Sequence, residues 1–171
     1  MNSKRTRLAI VVILGSMIGP AYAEQKSIKD EIVGAWSLVA VTAELANGTR
    51  TEPFGTNPRG TIIFTPDGRF ALFQSRSELP KIASNDRTKA TTEEMAGIVG
   101  GSIAYYGTYS ADEAEKSLSV VLEGSTFANL LANPSQKRLV TSLTASELKF
   151  ANPRTPSGMT LQTVWKRAQP R

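Results

Sequence analysis

The sequence predicts an all-β protein: one antiparallel barrel of about eight strands, with a single short helix near residues 92–100. Three observations carry that expectation. Short strand-like runs recur between turn signals from residue 32 to residue 167, the pattern of an antiparallel sandwich or barrel. The runs number about eight, the strand count at which a closed barrel is just wide enough to be filled by side chains or to hold one small ligand. Finally, Gly34-Ala35-Trp36 opens the first run and Trp165-Lys166-Arg167 closes the last. A sheet that closes brings its first and last strands together, so Trp36 can meet Arg167 and, with Gly34 and Trp165, seal one end.

Before the first run, residues 1–23 read as a secretory signal peptide. Lys4, Arg5 and Arg7 form its positive start, Leu8 to Ile18 its apolar stretch, and Ala21-Tyr22-Ala23 a small-x-small cleavage site. About eleven apolar residues fall short of the roughly 20 that cross a bilayer. The expectation is cleavage after Ala23, no stable membrane anchor, and a periplasmic or secreted protein. Residues 24–171 then form one domain of ordinary size. Cysteine is absent, so packing and strand pairing alone must hold it together. With Lys4, Arg5 and Arg7 gone, 17 basic residues face 15 acidic ones, and the net charge falls from +5 to +2. Arg76, Lys81, Arg87 and Lys89 are interspersed with Glu78 and Asp86, the composition of a solvated loop, and no clustered basic face invites nucleic acid.

The elements follow in order. Ile32 to Leu45 alternates, with Trp36, Leu38 and Ala40 on one face, and Asn47-Gly48 supplies residues that tolerate positive φ in a two-residue hairpin turn. Gly60 to Phe64 and Phe70 to Arg76 flank Thr65-Pro66-Asp67-Gly68-Arg69, the clearest hairpin, since proline presets φ and Asp-Gly completes the turn. Placing Phe64 opposite Phe70 puts Ile62 with Leu72 and Gly60 with Gln74 on the same face, which ends in Arg76. Thr91-Thr92-Glu93-Glu94 has the spacing of a capping box, and Met95, Ile98 and Val99 make a helical stripe that Gly100-Gly101 stops. Such a helix packs over or beside an open barrel end. Further runs are Ile103 to Ser110, Ser117 to Glu123, Lys137 to Leu143, Glu147 to Ala151 and Thr160 to Arg167.

The chain has no histidine and no cysteine, which excludes a Ser-His-Asp triad, a Cys-His pair and a histidine-ligated zinc. The glycine-rich phosphate loops and the Gly-x-Ser-x-Gly elbow are absent, as are oxygen-rich calcium loops, so no cofactor or metal is expected. Catalysis, if any, falls to carboxylates, tyrosines or arginine. Tyr105, Gly107 and Tyr109 share one strand face, either as ordinary packing residues or as lumen hydroxyls for a ligand. Arg76 is either a surface cation with a snorkelling stem or a group that orients a ligand. Arg138 is either a surface cation or faces inward. Inward-facing cations would demand a carboxylate, from the protein or from a fatty or aromatic acid.

These motifs, taken in order, resemble the lipocalin-like domain family of short bacterial and fungal proteins. The resemblance rests on Gly34-Ala35-Trp36-Ser37-Leu38, Pro53-Phe54-Gly55-Thr56-Asn57-Pro58-Arg59-Gly60 and the hairpin from Ile62 to Phe70. It extends through Arg76, Ile103-Ala104-Tyr105-Tyr106-Gly107-Thr108-Tyr109, Arg138 and Trp165-x-Arg167. It implies a lipocalin-type barrel, a small apolar ligand in the lumen, and Arg76, Tyr105, Tyr109 and Arg138 as pocket residues. Where relatives suggest a histidine after the tyrosines, this chain has Val120-Val121.

The expected function is binding of a small hydrophobic or amphipathic molecule, with acids among the candidates. Trp36, Phe64, Phe70, Leu72, Tyr105 and Tyr109 would line the lumen, with Arg76 and Arg138 orienting the polar end. Two other readings remain at this level: a cyclase, isomerase or dehydratase working inside the lumen through tyrosine and arginine, and a protein–protein interaction module of the cell envelope with a filled lumen. Oligomeric state is not legible.

Overall fold

The computed structural model describes residues 27–153, 155 and 158–169, and the signal-peptide expectation lies outside them. Nine strands run in chain order: β1 (Gly34–Glu44), β2 (Arg50–Thr51), β3 (Arg59–Phe64), β4 (Arg69–Ser75), β5 (Ser102–Asp112), β6 (Ser117–Ser125), β7 (Ser135–Leu143), β8 (Glu147–Asn152) and β9 (Thr160–Arg167). Two helices accompany them, α1 (Ile28–Ile32) and α2 (Thr92–Gly101). Short 3-10 turns cover Arg87–Lys89 and Ala128–Ala132. Each strand pairs antiparallel with its neighbour in the order β2-β1-β3-β4-β5-β6-β7-β8-β9, and β9 pairs back onto β1. Eight strands thus close an up-and-down barrel, and β2 is an added two-residue flap on the end of β1. No helix among the described residues is long and apolar enough to cross a membrane.

Why the chain closes where it does is visible at the seam. Trp36 lies opposite Arg167 and Leu38 opposite Trp165. The Arg167 guanidinium carbon sits 4.0 Å from the centre of the Trp36 ring, a cation–π contact. Arg167 also donates to the carbonyls of Val33, Glu31 and Ala145, while Trp36 Nε1 donates to the Ile32 carbonyl at 2.8 Å. The last carbonyls of α1 have no partner inside the helix, and here the two side chains satisfy them, so α1 plugs this end with Ile32 fully buried. Gly34 adopts φ +121°, and a Cβ at that position would stand 3.0 Å from Arg167 Nη1. Above the plug, Trp165 stacks on Phe150 with ring centres 6.2 Å apart and donates to Thr163 Oγ1.

The β3–β4 hairpin has the expected register, Phe64 opposite Phe70, Ile62 opposite Leu72 and Gly60 opposite Gln74. Other details differ. The β1–β2 connection is a five-residue loop, residues 45–49, and not a two-residue turn: Asn47 Oδ1 accepts from the Thr49 amide and Gly48 alone carries positive φ. A bulge between Leu38 and Ala40 inserts Val39 into β1. Trp36 and Leu38 point inward, but beyond the bulge it is Val41 and Ala43, not Ala40, that join the core. A second bulge lies at Tyr106/Gly107, where a Cβ on Gly107 would come within 1.9 Å of the Val121 carbonyl, so only glycine lets β6 approach. A third inserts Thr141 into β7.

Helix α2 has the anticipated capping box: Glu94 N donates to Thr91 Oγ1 at 3.2 Å and Thr91 N donates to Glu94 Oε2 at 2.8 Å. Its stripe is a different matter. Val99 is 71% exposed and Met95 nearly half exposed, so these side chains are not the docking face. The helix rests instead on Gly97 and Gly101, where a Cβ would come within 2.8 Å of Pro80 and of Leu79 respectively. It lies beside the barrel mouth, running directly into β5.

Candidate functional site

The barrel has a filled half and an open half. Toward the α1 end, Trp36, Phe64, Phe70, Leu118, Val120, Phe150 and Trp165 pack the interior, leaving a void of only about 10 Å³ between β3, β4, β5, β6, β7 and β8. Toward the opposite end, the sheet widens into a chamber of about 170 Å³. Gln74, Ile103 and Tyr105 wall it from β4 and β5, and Gln136 and Arg138 from β7. Asn152, Leu161 and Thr163 complete the wall from β8 and β9, and Phe54, Phe127 and Leu130 fold over from loops. Tyr105 and Arg138 touch both the chamber and the small void below, so they form its floor.

Arg138 decides what the chamber can do. Alternation along β7 turns it inward, and it is 6% exposed. Its Nη2 donates to Gln136 Oε1 at 2.5 Å, and its Nη1 reaches the Lys137 carbonyl at 3.4 Å. Among the described residues no carboxylate pairs with it. The ion pairs engage other cations: Arg69 with Glu123, Lys137 with Glu115, Lys149 with Glu147, Arg50 with Glu44 and Lys89 with Asp86. A desolvated cation without a counter-ion is costly. Gln74, only 5% exposed, faces the same space, and the buried Oδ1 of Asn152 has no partner among the described residues.

The other sequence-derived candidates fall into three groups. Phe64, Phe70 and Leu72 point inward but belong to the packed half and its boundary with the chamber. Trp36 and Tyr109 lie at the α1 end, away from the chamber. The Tyr109 hydroxyl donates to the Thr65 carbonyl at 2.9 Å, its ring meets Phe64 edge-on at 5.0 Å, and burial followed by the nearby Asp67 charge raises its pKa. Its expected role as a ligand donor is therefore corrected: the hydroxyl holds the β3–β4 hairpin. Arg76 is also corrected. Strand β4 ends at Ser75, the Arg76 amide donates to the Gly101 carbonyl at 2.9 Å, and the side chain turns to solvent over Gly101. Tyr105 alone of the tyrosine pair reaches the chamber, with its ring edge-on to Phe70.

The sequence reading missed Gln136, Asn152, Thr163 and the loop residues Phe54, Phe127 and Leu130. Gln136 and Thr163 carried a signal, since each stands two positions from an inward residue, Arg138 and Trp165.

With this geometry in place, the comparisons with known proteins are informative about family. The family model described as a lipocalin-like domain matches residues 33–168. The chain belongs to the lipocalin-like domain family. A lipocalin-like protein from Bacteroides uniformis is similar at 16% identity and TM-score 0.42, covering 81% of this chain and 99% of that one. A DUF4847 family protein from Bacteroides vulgatus is similar at 14% identity and TM-score 0.39, covering 82% and 96%. No curated protein matches. In the terms of the family, this lipocalin-like barrel has its closed end at α1 and its open end at the chamber, and the fold is compatible with binding a small molecule.

Proposed function

We propose that this protein is an exported carrier or receptor for a small amphipathic acid, which places a compact apolar group in the chamber and its carboxylate on Arg138. The buried guanidinium, without a counter-ion among the described residues, carries the reading, because a ligand anion would supply one. Size limits the ligand. Drug-sized sites span roughly 300–1,000 Å³, whereas a cavity of about 150 Å³ accommodates one benzene. At about 170 Å³, the chamber suits a single ring or a short branched chain. Ile103, Tyr105, Phe127, Leu130 and Leu161 would contact that group, and Gln74 and Asn152 would meet polar substituents. Export rests on the signal-peptide pattern of residues 1–23, and N-terminal sequencing of the protein made in its own host should begin at Glu24.

The test of binding is a matched pair of ligands. 3-Phenylpropanoate should displace a fluorescent apolar probe, and 3-phenylpropanamide should do so about 30-fold less well, the value of one charge-assisted contact. Equal displacement by the two would remove Arg138 from recognition, and failure of both to displace a bound probe would remove the chamber.

A further inference from the structure

Among the described residues, the barrel wall beside Arg138 is open, and the opening has the form of an unpaired strand edge. Pairing between β7 and β8 begins only at Leu139 opposite Ala151, so Ser135 to Arg138 have no β8 partner. A groove of about 610 Å³ runs along this stretch. It touches Ser135, Gln136, Lys137 and Arg138, four consecutive residues. Successive side chains of a strand point to opposite faces, so a surface touching all four follows the edge of the strand and not one of its faces. The groove shares Leu130, Gln136, Arg138 and Thr155 with the chamber, and the two spaces meet at the guanidinium.

The backbone at this edge is turned outward. Val140 N donates to the Lys116 carbonyl, and Leu122 N donates to the Pro134 carbonyl. Ladder bonds recur at every second residue, so the even-numbered residues of β7 bond to β6. Ser135 and Lys137 therefore present their N–H and C=O groups to the gap. Arg138 Nη1 reaches that same Lys137 carbonyl from the chamber side, which places the cation and the free edge within one ligand's span. Lys137 Nζ is drawn away to Glu115 at 2.9 Å and leaves the edge uncovered.

We propose that the acid recognised here is the carboxylate of an apolar amino acid whose nitrogen is acylated, with its amide chain laid along the free β7 edge. This rests on the acid-binding reading above and specifies its ligand class. The side chain of the terminal residue fills the chamber, the α-carboxylate meets Arg138, and the amide N–H donates to a backbone carbonyl of the Ser135–Lys137 edge, as in an added strand at an open sheet edge. A simple ring acid satisfies two of these features. An acylated amino acid satisfies all three, and it occurs either as a free small molecule or as the C-terminus of a peptide.

Calorimetry with a ligand series tests this without altering the protein. N-acetyl-L-phenylalanine should bind about fivefold tighter than 3-phenylpropanoate, the gain of one net backbone hydrogen bond through its amide N–H. N-acetyl-N-methyl-L-phenylalanine should lose that gain, and N-acetyl-L-phenylalaninamide should lose the carboxylate contribution. A tighter acetyl-Ala-Ala-Phe assigns the site to peptide C-termini, and equal affinity assigns it to free acylated amino acids; both support the shared chemistry. If 3-phenylpropanoate binds as tightly as N-acetyl-L-phenylalanine, or if methylation has no effect, the edge plays no part and this inference is overturned while the acid-binding reading stands. If no acid in the series binds, both fall.

Discussion

Arg138→Met is expected to stabilise the empty protein and to weaken acid binding at least about 30-fold. The guanidinium is 6% exposed, and withdrawing such an ion from water costs several kcal/mol. Its hydrogen bond to Gln136 Oε1 at 2.5 Å returns about 2–3 kcal/mol, and the 3.4 Å approach to the Lys137 carbonyl returns little. A net penalty of about 1–3 kcal/mol remains, which methionine of similar length removes while still filling the floor of the chamber. In a chain of this size that corresponds to a Tm increase of roughly 2–10 °C by calorimetry. The same change removes the ligand's counter-ion, so 3-phenylpropanoate affinity should drop about 30- to 1,000-fold. The reasoning fails if Tm falls and affinity is unchanged, since Arg138 would then be a structural cation that its protein contacts fully satisfy.

Other consequences are separable from this one. Tyr109→Phe removes the hydroxyl bond to Thr65 and should lower stability by about 1 kcal/mol in chemical denaturation with ligand affinity unaltered, whereas Tyr105→Ala should weaken ligand binding about tenfold or more. Arg167→Lys retains the charge but loses the planar fork that reaches Glu31, Val33 and Ala145, and should cost about 3 kcal/mol, read as a lower denaturant midpoint. The Glu94 carboxyl accepts amide bonds from Ala83 and then Thr91, which hold its pKa below the ordinary 4.5. Its contribution to anchoring α2 is thus present above about pH 4.5 and lost as pH falls through the lower folded value. An NMR titration should give a Glu94 midpoint below 4.5, and a midpoint at or above that value would contradict the capping geometry.

Much of the fold was legible because it is local. Period-two alternation marks each strand, Thr65-Pro66-Asp67-Gly68 marks the hairpin, and Thr91 with Glu94 marks the helix start, all within a few residues of one another. The terminal Trp36 and Arg167 are distant in sequence, yet their residue types suit one another across a closing seam. Bulges are where this reading loses its footing. Nothing in the composition of Leu38-Val39-Ala40 says that Val39 is the extra residue, because the shift is set by β1 having to serve β3 on one edge and β9 on the other. Arg76 went astray for a similar reason: alternation carried it inward, but docking of its amide onto Gly101 ends the strand one residue earlier. Arg138 was legible as a residue that would need a carboxylate if buried. That the β7 edge beside it is open depends on where β8 stops, which no alternation pattern reveals.

The central claim is that the acid sits inside the barrel on Arg138, and a crystal structure of the protein with 3-phenylpropanoate tests it most directly. The ring should lie against Tyr105, Leu130 and Leu161, with a carboxylate oxygen about 2.7–2.9 Å from the Arg138 guanidinium. A ligand seated instead on the outer face beside Phe73 and Tyr106, or an Arg138 side chain swung out to solvent with the chamber empty, would contradict it.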